Sequence, residues 1–326
     1  MNCTYAFNGD ADGLCALQQL RLAAAADGAT VGRETLVTGV KRDIALLERV
    51  QGSESTLCTV LDVSLDVNRA ALFTLLDTGA SVRYFDHHFA GEIPQHAKLE
   101  AHLDPSPTVC TSIIVDRHLG GRFRAWAVVG AFGDSLNNEA RALAQSAGLP
   151  TATADRLKDL GLAVNYNAYG ETIADLHVPP AVLAAEMLTY KDPLDFANRS
   201  PTFRRLAEGF KEDMDLARQL APYRKTSGAL VFLLPDAAWA RRASGTLAND
   251  LAKAHAGIAV AIISPKTSGG YLVSVRVPDA SSVSAEAFCR RFPTGGGRHT
   301  AAGINDLPSA ELEGFTTLFE EQFRAG

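Results

Sequence analysis

Apolar residues in the first half of the chain come in short β-rich runs separated by stretches of helical spacing. That alternation predicts a mostly parallel sheet covered by helices on both faces. The runs at 3–7, 57–62, 81–85 and 125–132 read as strands, with 34–38 as a fifth. Between them, residues 13–26, 66–76 and 108–119 carry helical patterns; Ser64 or Leu65 can start the second, and Thr108 can cap the third. Beyond Asp134 the pattern becomes more helical, through 140–147, 153–162, 181–190 and 203–220, interrupted by Pro150, Pro179, Pro180, Pro193 and Pro201. From about Gly228 a second β/α pattern begins, with apolar 229–234, helical 244–254, apolar 258–264, alternating 271–277 and a helix near 285–292. The expected fold class is therefore α/β in two domains: residues 1–195 around the parallel sheet, 196–227 as a helical linker, and 228–326 as a smaller α/β domain.

Bulk properties narrow the function. With 326 residues, 47% of them apolar, the chain can bury two cores. A net charge of -6 argues against a surface built to hold long duplex nucleic acid and leaves small phosphorylated substrates. The N-terminal residues lack the basic and apolar regions of a signal peptide, and no apolar stretch is long enough to span a bilayer, so a cytoplasmic protein without membrane attachment is expected. The five cysteines, Cys3, Cys15, Cys58, Cys110 and Cys289, are scattered and never spaced as C-x-x-C, which fits reduced thiols packed as small hydrophobes.

The chemistry-bearing residues stand where apolar runs end. Asn8-Gly9-Asp10-Ala11-Asp12-Gly13 puts two carboxylates between a strand and a helix, either converging on a cation or capping that helix. Asp62 follows the apolar run ending at Leu61, where a charge is costly unless paired or coordinated; an exposed strand end is the plainer reading. Asp86-His87-His88 offers a carboxylate and two imidazoles together, against the alternative of two surface histidines. Asp134 follows the fourth expected strand and fits a helix cap as readily as a ligand. Jointly these positions suggest one site, because ligands of open α/β sheets bind at the carboxyl ends of the strands. Hard carboxylates with one or two imidazoles suit Mn²⁺ first, with Mg²⁺ or Co²⁺ able to substitute, and so many anionic groups can hold two ions.

These residues resemble the DHH phosphoesterase family, named for the string seen here as Asp86-His87-His88. Asp10 and Asp12 look like its first motif, Asp62 its second and Asp134 its fourth, while Gly295-Gly296-Gly297-Arg298-His299-Thr300-Ala301-Ala302-Gly303 is similar to the GGGH-x-x-AAG signature of the DHH-associated C-terminal domain. The resemblance implies a metal-binding catalytic domain followed by a substrate-binding domain that closes over a cleft. It implies Asp10 and Asp62 as ligands of one metal and Asp12, Asp62, His87 and Asp134 as ligands of the other, with Asp62 as the bridge. It further implies His88 facing the phosphate or the attacking water, and Asp86 orienting an imidazole.

Two departures stand out. Asn8 occupies a position where the family usually carries His or Asp, a neutral and weaker ligand for the first metal. Arg298 stands where the signature has histidine, with His299 next to it; a guanidinium binds phosphate bidentately. Three glycines permit close backbone approach to an anion, and Arg276 lies at the end of a nearby alternating run, so Arg276, Gly295, Gly296, Gly297, Arg298 and His299 form the expected substrate-binding set. The expected activity is hydrolysis of short oligonucleotides, dinucleotides or nucleotide 3'-phosphates by metal-activated water. Alternatives are a pyrophosphatase or exopolyphosphatase, or a catalytically weak nucleotide-binding module. A homodimer is compatible with all of these.

Overall fold

The structure is a computed structural model and describes residues 2–28 and 34–324. The chain divides into two compact units, Met1–Ala168 with Thr172–Glu208, and Tyr169–Glu171 with Gly209–Gly326.

In the first unit, β1 (Asn2–Phe7), β2 (Glu34–Thr38), β3 (Thr56–Leu61), β4 (Ser81–Asp86) and β5 (Leu99–Leu103) form an all-parallel sheet in the order β2-β1-β3-β4-β5. Its helices are α1 (Ala11–Ala26), α2 (Leu65–Asp77), α3 (Thr111–His118), α4 (Arg124–Gly133), α5 (Asn137–Ser146), α6 (Thr151–Asn167), α7 (Pro180–Met187) and α8 (Pro193–Arg199). Alternation along the strands assigns the two faces. Tyr5, Phe7, Leu61 and Phe85 join one core with Leu14, Leu17, Ile113, Val129 and Phe132, whereas Ala6, Val60, Val82 and Tyr84 join another with Leu65, Leu72 and Leu76 of α2. The strand order reverses between β1 and β3, and the carboxyl ends of strands at such a switch point are where open α/β sheets bind ligands.

Residues 125–132, expected from the sequence to be a strand, lie instead in helix α4. Every residue from Trp126 to Gly133 is buried, so the segment is apolar all round and carries no polar face to reveal a helical period. The fifth strand of the sheet is β5, whose five residues alternate and which occupies the edge. Helix α3 starts after Cys110 as N-cap rather than after Thr108. Ser64 does cap α2, accepting from the Val67 amide.

Helix α9 (Pro201–Arg218) spans the division between the units. In the second unit β6 (Arg224–Lys225), β7 (Ala229–Leu233), β8 (Ala259–Pro265), β9 (Tyr271–Arg276), β10 (Gly295–Gly297) and β11 (Ala301–Leu307) form a sheet in the order β10-β11-β9-β8-β7-β6. Among the described residues of this sheet only the β7–β8 pair is parallel. Helix α10 (Ala238–Ala254) packs with Leu230, Phe232 and Ile262 on one face, while α11 (Ala285–Cys289) and α12 (Leu312–Gln322) cover the other through Phe288, Phe315 and Phe319. Burying each such side chain contributes roughly 1.5–3 kcal/mol. Among the described residues no helix is long and apolar enough to cross a membrane.

Candidate metal centre

The turn from β1 into α1 is held by its own polar groups. Asp10 is the N-cap: its Oδ1 accepts from the amides of Asp12 and Gly13 at 3.0 and 3.1 Å. A Cβ at Gly13 would stand 2.2 Å from the Asn8 carbonyl oxygen, so only glycine lets the first helical turn pack this closely. The Asn8 Oδ1 accepts from the Asp10 amide at 3.3 Å, and its Nδ2 donates to the Lys41 carbonyl at 3.3 Å. The second carboxylate oxygen of Asp10 pairs with the Lys41 ammonium, which also donates to Asn165 Oδ1 at 3.3 Å. Burial opposes ionisation of Asp10, yet Lys41 and the Gly13 amide hold the carboxyl below its ordinary value.

Asp12 is buried and turned toward the start of α3. Its Oδ2 accepts from the Thr111 amide and its Oδ1 from the Ser112 amide, both at 2.7 Å, with the Ser112 hydroxyl also on Oδ1. A carboxylate at a helix N-terminus is stabilised by the unpaired amides and the dipole. The cap and the ligand readings of these aspartates are thus compatible, since a carboxylate oxygen has more than one acceptor site.

Asp62 follows β3 in the left-handed region, φ 59°, unusual for a residue with a side chain. It is 2% exposed, and its Oδ1 accepts from Thr111 Oγ1 at 3.3 Å. Burial, followed by the charges of Asp10, Asp12, Asp134 and Asp86, pushes its carboxyl well above the usual range. Asp134 comes from the C-terminal end of α4, not from a strand, so three strands and one helix end supply the cluster. Burial and the neighbouring Asp12 push its carboxyl up to about 6, against the opposing charge of Lys41.

The imidazoles complete the cluster. His87 Nε2 lies 3.4 Å from Asp62 Oδ1 and 3.9 Å from Asp134 Oδ2, between the two acids. His88 Nδ1 and Asp86 Oδ1 are 2.6 Å apart, and Asp86 is fully buried. Burial disfavours the charged imidazole of His88, but the Asp86 bond and charge keep its pKa above the ordinary value. Asp62, His87 and His88 each offer a ligand atom within 4.8 Å of the others. The donors suit a hard divalent cation: the neighbouring charges raise the carboxyls of buried Asp62 and Asp134, and among the described residues Asp86 Oδ2 is buried without a hydrogen-bond partner. A cation would offset the like charges packed here, beside the charge that Lys41 supplies.

The expected substrate-binding residues lie in the second unit. The glycine run is the edge strand β10 rather than a loop, with Gly296 opposite Gly303 and Gly297 opposite Ala302. The Gly295 amide already donates to the Phe292 carbonyl, and a Cβ there would stand 1.7 Å from the Cys289 carbonyl oxygen. Packing therefore accounts for Gly295, whose amide is already engaged. A Cβ on Gly296 would meet nothing within 4 Å. Arg298, His299 and Thr300 form the turn into β11, closed by the Arg298 amide on the Ala301 carbonyl at 2.8 Å. Arg276 pairs with Ala301 in the β9–β11 ladder, and its Nε donates to Asn249 Oδ1 at 2.8 Å.

Sequence reasoning passed over Lys41, Thr111, Ser112 and Phe89. Lys41 follows β2 and could have been found by the strand-end rule that found the acids. Thr111 and Ser112 gave no chemical signal, because they act largely through backbone amides. Phe89 directly follows His88 and is 75% exposed, a large apolar ring left in solvent.

No family model matches the chain, and no curated protein matches it either. Solved structures do. An exonuclease RecJ bound to manganese is 20% identical, with a TM-score of 0.61 over 98% of this chain and 89% of that one. A DHH domain described as belonging to a family of ribosomal proteins is 11% identical, with a TM-score of 0.63 over 99% of this chain and 87% of that one. A pGpG-specific phosphodiesterase, PggH from Vibrio cholerae, is 12% identical, with a TM-score of 0.54 over 99% of both chains.

Proposed function

This chain has the fold of those DHH structures, and from that premise we propose that it is a metal-dependent phosphoesterase acting on short oligonucleotides, dinucleotides or nucleotide 3'-phosphates. One observation carries the reading: Asp10, Asp12, Asp62 and Asp134, from three separated segments, crowd together at the switch point of a parallel sheet, with His87 beside Asp62 and Asp134. Folded without cations, that arrangement repels itself.

Asp12, Asp62, His87 and Asp134 would hold a divalent cation, Mn²⁺ by the mixed oxygen and nitrogen donor set. Such a cation lowers the pKa of water and offsets charge on a phosphoryl group. Asn8 and Asp10 would contribute to a second ion, but Lys41 already occupies one oxygen of Asp10. A second ion there requires the lysine to swing away; otherwise its ammonium supplies the fixed positive charge at that end.

Asp86 holds His88 through Nδ1, leaving Nε2 to face a phosphate oxygen or the attacking water. The exposed ring of Phe89 favours a substrate with a nucleobase over pyrophosphate, since a base can stack on it. Within the second unit, Arg276, Arg298, His299 and the open flank at Gly296 would bind a phosphate or nucleotide. Neighbours named as an exonuclease and as a pGpG phosphodiesterase support the same substrate class.

The deciding experiment is a panel with Mn²⁺: dinucleotides, short RNA, nucleotide 3'-phosphates and pyrophosphate. Release of mononucleotides from dinucleotides, abolished by chelator and restored by Mn²⁺, is the expected result. Turnover of pyrophosphate alone would transfer the reading to that class, and no turnover of any member would refute hydrolysis.

A further inference from the structure

A second ligand cluster lies on the same sheet and is built from different chemistry. Glu100 and His102 are two residues apart on the edge strand β5, so both side chains leave the same face. His118 sits in the last turn of α3. One atom from each of Glu100, His102 and His118 lies within 4.8 Å of the others. Neither imidazole is loosely placed. His102 pairs with Phe85 across the β4–β5 ladder and stacks on its ring, centroids 4.4 Å apart and planes at 8°. The His118 ring stands edge-on to both, 5.1 Å from Phe85 and 4.6 Å from His102.

We propose that Glu100, His102 and His118 form a transition-metal site, most suited to Zn²⁺, that ties the edge strand β5 to the C-terminal end of α3. Two imidazoles and one carboxylate are a donor set for open zinc sites, with water or an outside group filling the fourth position. Glu100 and His118 are exposed, which leaves room for that fourth ligand and for the short movement that closes the donors onto an ion. The nitrogen-rich set prefers Zn²⁺ over Mn²⁺ or Mg²⁺, the reverse of the acid cluster. His102 Nε2 is 2.6 Å from Glu100 Oε1, a hydrogen bond that the ion would replace. The charge of Arg83 reaches both Glu100 and His118 and works against a cation, which limits affinity without removing the geometry. The same eight-residue helix whose first amides hold Asp12 would thereby be anchored at its other end.

The test counts bound Zn²⁺ by calorimetry on the full chain, comparing Asp62→Asn with Asp62→Asn carrying His102→Ala or His118→Ala. The acid cluster is disabled in all three proteins. Asp62→Asn is expected to retain one Zn²⁺, and each added substitution to weaken it by more than about 100-fold. Co²⁺ loaded into Asp62→Asn should give the visible absorption of a four-coordinate nitrogen and oxygen site, lost with His118→Ala. Circular dichroism of the exposed-site variant His118→Ala controls for folding. Zn²⁺ binding that is unchanged by both histidine substitutions, or absent in Asp62→Asn, would overturn the site. Neither result depends on whether the acid cluster hydrolyses phosphoesters.

Discussion

The parallel sheet carries two ligand clusters on neighbouring strands, and they differ in almost every physical respect. The first gathers Asp10, Asp12, Asp62, Asp134 and His87 at the switch point, where Asp62 is 2% exposed and its charge is opposed by its neighbours. The second, Glu100, His102 and His118, sits at the sheet edge in reach of water, with one carboxylate and two imidazoles. Burial disfavours the charged carboxylates of Asp62 and Asp134 in the first cluster, whereas solvent lets the second satisfy itself through the Glu100–His102 hydrogen bond. Proximity of ligand atoms is therefore a weak criterion alone. The sign and burial of the charge decide whether a cluster needs a cation or merely accepts one.

The strongest way to break this contrast is Asp62→Asn, expected to remove Mn²⁺ from the acid cluster and lower Mn²⁺-dependent hydrolysis by at least about 10³-fold, within the range assigned to metal-centred catalysis. Calorimetry and turnover together check it; retained Mn²⁺ binding would place the cation elsewhere. Next, Asp86→Asn keeps the shape but weakens the hold on His88, and should cost about 10- to 100-fold in kcat with little change in KM. A pH–rate profile displaced along with kcat separates this from simple destabilisation.

Phe89 belongs to the first region alone. Phe89→Ala is expected to raise KM for dinucleotides by about 10-fold, as loss of one stacking contact would, while leaving nucleotide-free phosphoesters unaffected. Equal effects on both substrates would remove Phe89 from base recognition. Lys41→Met frees an oxygen of Asp10, and the measured Mn²⁺ content should rise toward two ions per chain, with looser binding of the second; an unchanged count would show that Lys41 does not compete with metal.

The smallest effect is on stability against pH, and it takes opposite signs in the two regions. Asp134 is pushed up to about 6 from its ordinary value near 3.8, so its contribution is present below the unfolded value and is lost as pH rises through about 6. His118 is lowered from 6.5, so its contribution is complete above that value and is lost as pH falls. Metal-free protein should lose melting temperature by a few degrees as pH rises from 5 to 7 on the order of the Asp134 shift, and saturating Mn²⁺ should abolish the decline. An unchanged slope with Mn²⁺ would mean that the cation does not reach Asp134.

Where the chain spoke for itself, it did so through periodicity and expensive residues. Short β-rich runs marked β1, β3 and β4, alternation marked β9, and acids at the ends of apolar runs marked Asp10, Asp62 and Asp86, because an ionised group is not left beside a core without a partner. The same reasoning failed at 125–132, where a helix buried on every side shows no period, and it did not foresee that contact with the Cys289 carbonyl requires glycine at 295. Only the tertiary structure could supply Lys41 on Asp10, the α3 amides on Asp12, and the meeting of His118 with β5. Each joins residues far apart along the chain through backbone groups or long side chains. Local patterning encodes which face of an element is buried, and packing alone decides what that face meets.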